Sequence, residues 1–99
     1  MEYEFNQRQK VLLYELKKAS KQLDPVVRIG KAGVGLTVFM HISTLLKKRR
    51  VIKIKILKNC LDNYTTDDII AMICEKCHCV VVDKIGQTFC VCHRKILGL

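Results

Sequence analysis

Residues 51–57 read VIKIKIL, the cleanest alternation in the chain. In a β-strand successive side chains point to opposite faces. Ile52, Ile54 and Ile56 therefore point one way, and Val51, Lys53, Lys55 and Leu57 the other. The segment is a strand with one buried face and one cationic face, so it needs other elements to cover the isoleucines.

Those elements can be read on either side. Asn6 is placed to cap a helix running to about Leu23, with Leu12, Leu16, Ala19 and Leu23 as its buried stripe and Lys10, Tyr14, Lys17 and Lys21 opposite. Asp24-Pro25 stops it, because a residue before proline is pushed out of the α region. Val26 to Ile29 read as a short strand. A second helix from about Leu36 to Lys48 can bury Phe39, Ile42 and Leu46, and it runs into Lys47-Lys48-Arg49-Arg50 at its negative dipole end. After VIKIKIL, Thr66 with Asp67 and Asp68 opens a third helix through about Cys77, burying Ile69, Ile70 and Ile73 in part. Strands from about Cys79 to Lys84 and from Thr88 to His93 close the chain as a hairpin around Ile85-Gly86-Gln87.

The order is a helix followed by βαβαββ, which predicts an α/β fold of the two-layer α+β kind: a mixed four-stranded sheet with helices packed on it. Alternating helices and strands require at least one parallel pair, and right-handed crossovers place the second and third helices on the same side. The other side is left for the first helix or for a ligand. At 99 residues the expectation is a single domain over residues 1–99, with its core at about 6–94.

Charge narrows the function. The chain carries 18 Lys+Arg against 9 Asp+Glu, a net charge of +9. Residues 8–58 hold 14 of those cations and only Glu15 and Asp24 as acids, a local balance of +12. So lopsided a field attracts polyanions. The N-terminal MEYEFNQRQK opens with acids and lacks the apolar stretch of a secretory signal, and no apolar run approaches the roughly 18 residues of a membrane span. The expected location is the cytoplasm, with no membrane partner, and the six cysteines are expected to be reduced.

Between the first strand and the second helix lies Gly30-Lys31-Ala32-Gly33. Two glycines let a backbone approach a ligand without an intervening Cβ, and the free N–H groups of the next helix favour an anion. The spacing is neither G-x-G-x-x-G nor a Walker A loop. It is the G-x-x-G spacing with which KH domains clamp a nucleic-acid backbone. Arg28, Lys31, Lys53, Lys55 and the run Lys47, Lys48, Arg49, Arg50 come from one βαβ unit, and Lys10, Lys17 and Lys21 add the basic face of the first helix.

The segments VLLYELKKASKQLDPVVRIGKAG, VIKIKIL and DKIGQTF together resemble the stand-alone YhbY-like CRM domain, the chloroplast RNA splicing and ribosome maturation module. The likeness runs from about Asn6 to Arg94. It rests on Leu23-Asp24-Pro25, on a Gly-Lys-x-Gly loop five residues after the proline, and on the Ile52 to Lys55 strand. The resemblance implies a fold similar to the C-terminal domain of initiation factor three. It also implies RNA binding in which Gly30, Lys31 and Gly33 take part, and a role with ribosomal RNA or precursors of the large ribosomal subunit. This chain departs from the family where it carries Ala32 in the loop, Gln87 in the last turn, and Cys90 and Cys92 in the final strand.

The cysteines carry a rival reading. Cys74-x-x-Cys77-x-Cys79, followed by Cys90-x-Cys92-His93, has a zinc-like look, with Cys74, Cys77, Cys79 and Cys92 as candidate ligands of an interaction domain for an acidic protein. A turn at Ile85-Gly86 would set Cys79 opposite Cys92. These cysteines lie inside regular elements, however, where free cysteine behaves as a small hydrophobe, so the expectation is core filling without metal or cofactor. His41, His78 and His93 have no catalytic constellation around them, and no paired carboxylates or activated nucleophile stand out. The chain reads as an RNA-binding module, expected to be a monomer, and not as an enzyme.

Overall fold

The computed structural model describes residues 3–99. Helix α1 spans Gln7–Ser20, strand β1 Val27–Ile29, helix α2 Leu36–Lys48, strand β2 Ile52–Ile56, helix α3 Thr66–Cys77, strand β3 Cys79–Ile85 and strand β4 Thr88–His93. Short 3₁₀ turns at Lys58–Asp62 and Arg94–Leu97 complete the path.

The sheet has the order β1-β2-β4-β3. β1 and β2 are parallel, and β4 lies antiparallel to both β2 and β3, so the sheet is mixed as expected. Alternation divides its residues between two faces. Val27, Ile29, Ile52, Ile54, Ile56, Phe89, Val91 and Cys79 join Ile42 and Leu46 of α2 and Ile69 and Ile73 of α3 in one core. On the opposite face Val51, Val80, Cys90 and Cys92 form a smaller core with Leu16 of α1 and Leu97. α2 and α3 thus share one side, and α1 takes part of the other.

α1 begins with a reciprocal cap. Asn6 Oδ1 accepts from the Gln9 backbone N–H at 2.8 Å, while Gln9 Oε1 accepts from the Asn6 N–H at 2.9 Å. Gln9 Nε2 reaches on to donate to the Leu97 carbonyl oxygen at 2.8 Å, which ties the first helix to the last turn. The regular helix ends at Ser20, three residues before Leu23. From there i to i+3 bonds tighten the chain, Lys21 N–H to Lys18 O, Gln22 N–H to Ala19 O and Leu23 N–H to Ser20 O. Ser20 is the buried residue here and Ala19 is exposed, a correction to the expected stripe. Burial of Ser20 is tolerated because its hydroxyl donates to the Lys17 carbonyl oxygen at 2.7 Å.

The hairpin also differs from expectation. Its two-residue turn is Gly86-Gln87, with Gly86 at φ 59°, and Ile85 pairs with Thr88. An irregularity between Val81 and Asp83 then shifts the register, so Cys79 faces His93 and Val80 faces Cys92. The expected pairing of Cys79 with Cys92 does not occur.

Candidate nucleic-acid interface

β1 and β2 are parallel and in register, with Arg28 beside Lys55 and Ile29 beside Ile56, so their C-terminal ends lie at one pole of the sheet. The β3–β4 turn reaches the same pole, where the Ile56 N–H donates to the Gln87 carbonyl oxygen at 2.8 Å. The glycine loop sits there. It is a single tight turn, closed by the Gly33 N–H donating to the Gly30 carbonyl oxygen at 2.9 Å, with Lys31 and Ala32 exposed at its tip.

The two glycines answer different demands. A Cβ on Gly30 would meet Asn59 and Leu57 only at ordinary contact distance. Gly33 is buried at φ 72°, and a Cβ there would lie 2.5 Å from Tyr64 Cε2. The second glycine therefore lets the turn pack beneath Tyr64. α2 starts two residues later from Gly35, which makes no side-chain cap hydrogen bond, so its first amides are left to solvent or to a ligand.

Below the loop, on the face opposite α2 and α3, β1 and β2 carry Arg28, Lys53 and Lys55. Lys21, just beyond α1, joins Lys53 around a cleft of about 250 Å³ that Asp83, Ile85, Thr88 and Cys90 complete. Lys58 and Asn59, in the turn after β2, are exposed beside the loop. From Pro25 to Leu61 the chain has no acidic residue, so this pole and the adjoining sheet face carry cations without internal partners of opposite charge from that segment.

The other predicted cations are either offset by an acid or lie elsewhere. Lys17 contacts Asp83 at 3.8 Å, which partly offsets its charge. α2 runs from the loop pole back along the sheet for 13 residues, about 20 Å, and so delivers Lys47, Lys48, Arg49 and Arg50 to the opposite pole. Lys10, near the start of α1 and one residue from the Gln9–Leu97 tie, is also remote from the loop. The structure thus gathers Gly30, Lys31, Ala32, Gly33, Arg28, Lys53, Lys55 and Lys21 at one end, and separates them from Lys10 and Lys47–Arg50. Lys58 and Asn59 are additions that only the path of the chain reveals. Lys58 belongs to the basic segment, but no periodicity marks its 3₁₀ turn.

The cysteines fill space. Cys60, Cys77, Cys79, Cys90 and Cys92 are buried and Cys74 is half-buried. Cys77 and Cys79 belong to the larger core and Cys92 to the smaller one, across the sheet. Among the described residues no group of three or more His, Cys, Asp or Glu side chains is arranged to hold a metal ion. Burial pushes the Cys60, Cys77 and Cys90 thiols up, and carries Cys92 to about 11. Among the described residues no helix is long and apolar enough to cross a membrane.

A mixed sheet with an uncapped helix start, a tight glycine turn and a cationic strand pair at one pole is a small α+β domain suited to a polyanion. The sequence pattern of the CRS1/YhbY (CRM) domain matches residues 10–92, and the chain belongs to that family. It is similar to the solution structure of the hypothetical protein SAV1595 from Staphylococcus aureus, described as a candidate RNA-binding protein. The two are 25% identical with a TM-score of 0.63, over 91% of this chain and 88% of that one. No curated protein shows significant sequence similarity to the chain. Family and neighbour together support RNA binding.

Proposed function

We propose that this protein is a non-enzymatic, monomeric, cytoplasmic RNA-binding protein that docks on structured RNA of the large ribosomal subunit during its maturation, with the Gly30–Gly33 turn as the anchoring contact. The observation that carries the reading is the register of Arg28 beside Lys55 directly below that turn. Two cations fixed on adjacent strands, a third at Lys31 and the free amides of α2 give several donors to one stretch of phosphate backbone. Leu36 and Met40, 75% and 60% exposed one turn apart at the start of α2, offer an apolar surface on which an unpaired base can rest beside the held phosphate. Most of the affinity is then electrostatic, and specificity comes from the shape of the RNA.

The test is binding of the purified protein to large-subunit ribosomal RNA fragments, followed by fluorescence anisotropy across a salt series. The expected result is a linear fall of log K with log salt of about 0.7 to 0.9 per phosphate neutralised. Salt-independent binding, or equal affinity for an acidic polypeptide, would sink the proposal. Crosslinking in cells followed by sequencing tests the ribosomal assignment, which fails if the recovered RNA is not ribosomal. Light scattering tests the monomer.

A further inference from the structure

The groove farthest in character from the RNA pole lies at the free edge of β3. It is a cavity of about 690 Å³ between the N-terminal segment, with Tyr3 and Phe5, and α3, with Ile70, Cys74 and Glu75; Cys79 and Arg94 also line it. Cys74 and Cys79 therefore border the same space, Cys74 half-buried and Cys79 buried. How they come together follows from the end of α3. His78 adopts the left-handed conformation, φ 53° and ψ 49°, and its N–H bonds back to the Cys74 carbonyl oxygen. In a helix cap of this kind the residue after the left-handed one folds back over the last full turn. That residue is Cys79. Its Sγ donates to the Ile73 carbonyl oxygen at 3.7 Å, and its side chain borders the groove together with Cys74.

We propose that Cys74 and Cys79 form a redox-responsive dithiol, in which a hydroperoxide oxidises Cys74 from the groove and Cys79 resolves the product as an intramolecular disulfide. The thiolate of Cys74 attacks the peroxide oxygen. The O–O bond breaks, the hydroperoxide is reduced to an alcohol, or to water from hydrogen peroxide, and Cys74 becomes a sulfenic acid. The Cys79 sulfur then attacks the Cys74 sulfur, the S–O bond breaks, and the hydroxyl leaves with the Cys79 proton as water. Cys74 and Cys79 lose two electrons and two protons in all.

Cys79 is buried in the larger core, and what distinguishes this pair is that Cys74 and Cys79 both border the groove. Cys60, Cys90 and Cys92 are buried in the cores, and Cys77 is closed under α2, its Sγ lying 3.5 Å from the Phe39 carbonyl oxygen. Cys74 alone is half-buried. The neighbouring Cys79 side chain holds the Cys74 thiol below its ordinary range against the opposing effect of burial, and the Arg94 charge helps. A half-buried thiol with a lowered pKa that shares a groove with a second cysteine is the arrangement of a peroxide-responsive site.

The experiment treats the full chain, folded and reduced, with hydrogen peroxide, blocks the remaining thiols with N-ethylmaleimide and maps peptides by mass spectrometry. The expected first product has lost two hydrogens, carries a Cys74–Cys79 linkage and reverts with dithiothreitol. In Cys79→Ala the expected species is a Cys74 sulfenic acid trapped by dimedone. Fragmentation of the linked peptide separates Cys79 from Cys77. A first linkage between Cys74 and Cys77, equal reaction of all six cysteines, or no oxidation below the unfolding temperature would each overturn the proposal. The wild-type map decides even if Cys79→Ala fails to fold.

Discussion

The ring of Tyr64 lies over Gly33, so close that a Cβ on residue 33 would sit 2.5 Å from its Cε2 and 2.8 Å from its Cζ. This contact joins the loop before α2 to the residue that precedes the cap of α3, and makes Gly33 a structural position as much as a binding one. Gly33→Ala should melt lower than the parent. The left-handed backbone alone costs about 1–2 kcal/mol for an L residue, and displacing Tyr64 adds to it. Tyr64→Ala in the same chain should recover the steric part and leave the backbone part, so a thermal double-mutant cycle should show coupling. Strict additivity would mean that the ring moves freely aside.

Ala32 is the better place to disturb binding without disturbing the fold. It is exposed at the tip of the turn, as is Lys31. Ala32→Asp puts a negative charge where a phosphate would approach and should weaken RNA binding strongly with an unchanged melting curve. Lys31→Ala should reduce the salt slope by about 0.7 to 0.9. Anisotropy and circular dichroism on the same samples check both.

The separation of the two basic poles predicts a pattern of additivity. Arg28 and Lys55 are register partners, so Arg28→Ala and Lys55→Ala should show non-additive losses of RNA affinity. Lys47→Ala with Lys48→Ala should combine additively with Lys31→Ala, because about 20 Å of α2 lies between them. Coupling between the poles would place them on one contact.

Acid should loosen the end of the chain. Burial, then the charges of Lys95, His78 and Arg94, push His93 below the ordinary imidazole value. Its Nδ1 accepts from the Lys95 N–H at 3.0 Å, a bond that protonation removes. With the folded value depressed, this stabilisation is complete above about pH 6.5 and is lost as pH falls through the folded value. Hydrogen exchange at Lys95 should quicken on that side, and His93→Ala should flatten the acid limb of the melting profile.

Alkali should act through the buried thiols, with the opposite sign. Cys92 is raised to about 11, chiefly by burial, so its contribution is complete below the unfolded thiol value of about 8.5 and is lost as pH rises through about 11. Melting temperature should fall across that window. Cys92→Ala should reduce the fall, although it melts lower at neutral pH through lost packing.

How far the structure could be read in advance depends on the range of the interaction that decides each part. β2 was legible because Ile52, Ile54 and Ile56 alternate with lysines, a signal contained in five residues. α2 was legible from Leu36 to Lys48, and the Gly30–Gly33 turn from its spacing. Tyr64 over Gly33 was not, since the two are 31 positions apart and joined through a 3₁₀ turn without periodicity. The hairpin register was hidden for a related reason. Nothing in Val80-Val81-Val82-Asp83 marks the residue that leaves the ladder, yet that bulge, with the turn at Gly86-Gln87, puts His93 opposite Cys79, where the turn alone would put Arg94. The basic run after α2 belongs to the same βαβ unit as the loop, yet the helix carries it to the other pole.

The Gln9–Leu97 hydrogen bond has a consequence for how the chain acquires its shape. The smaller core pairs Leu16 with Val80, Cys90, Cys92 and Leu97, so α1 is seated by elements that follow it by about 60 residues or more. α1 has a complete cap of its own, but isolated helices of 14 residues are marginal in water. Its leucines are therefore expected to stay uncovered until β3 and β4 have formed. The larger core needs no such delay between its first members, because β1, α2 and β2 follow one another directly. Assembly should therefore begin with the larger core around β1, α2 and β2 and finish when α1 docks on β3 and β4.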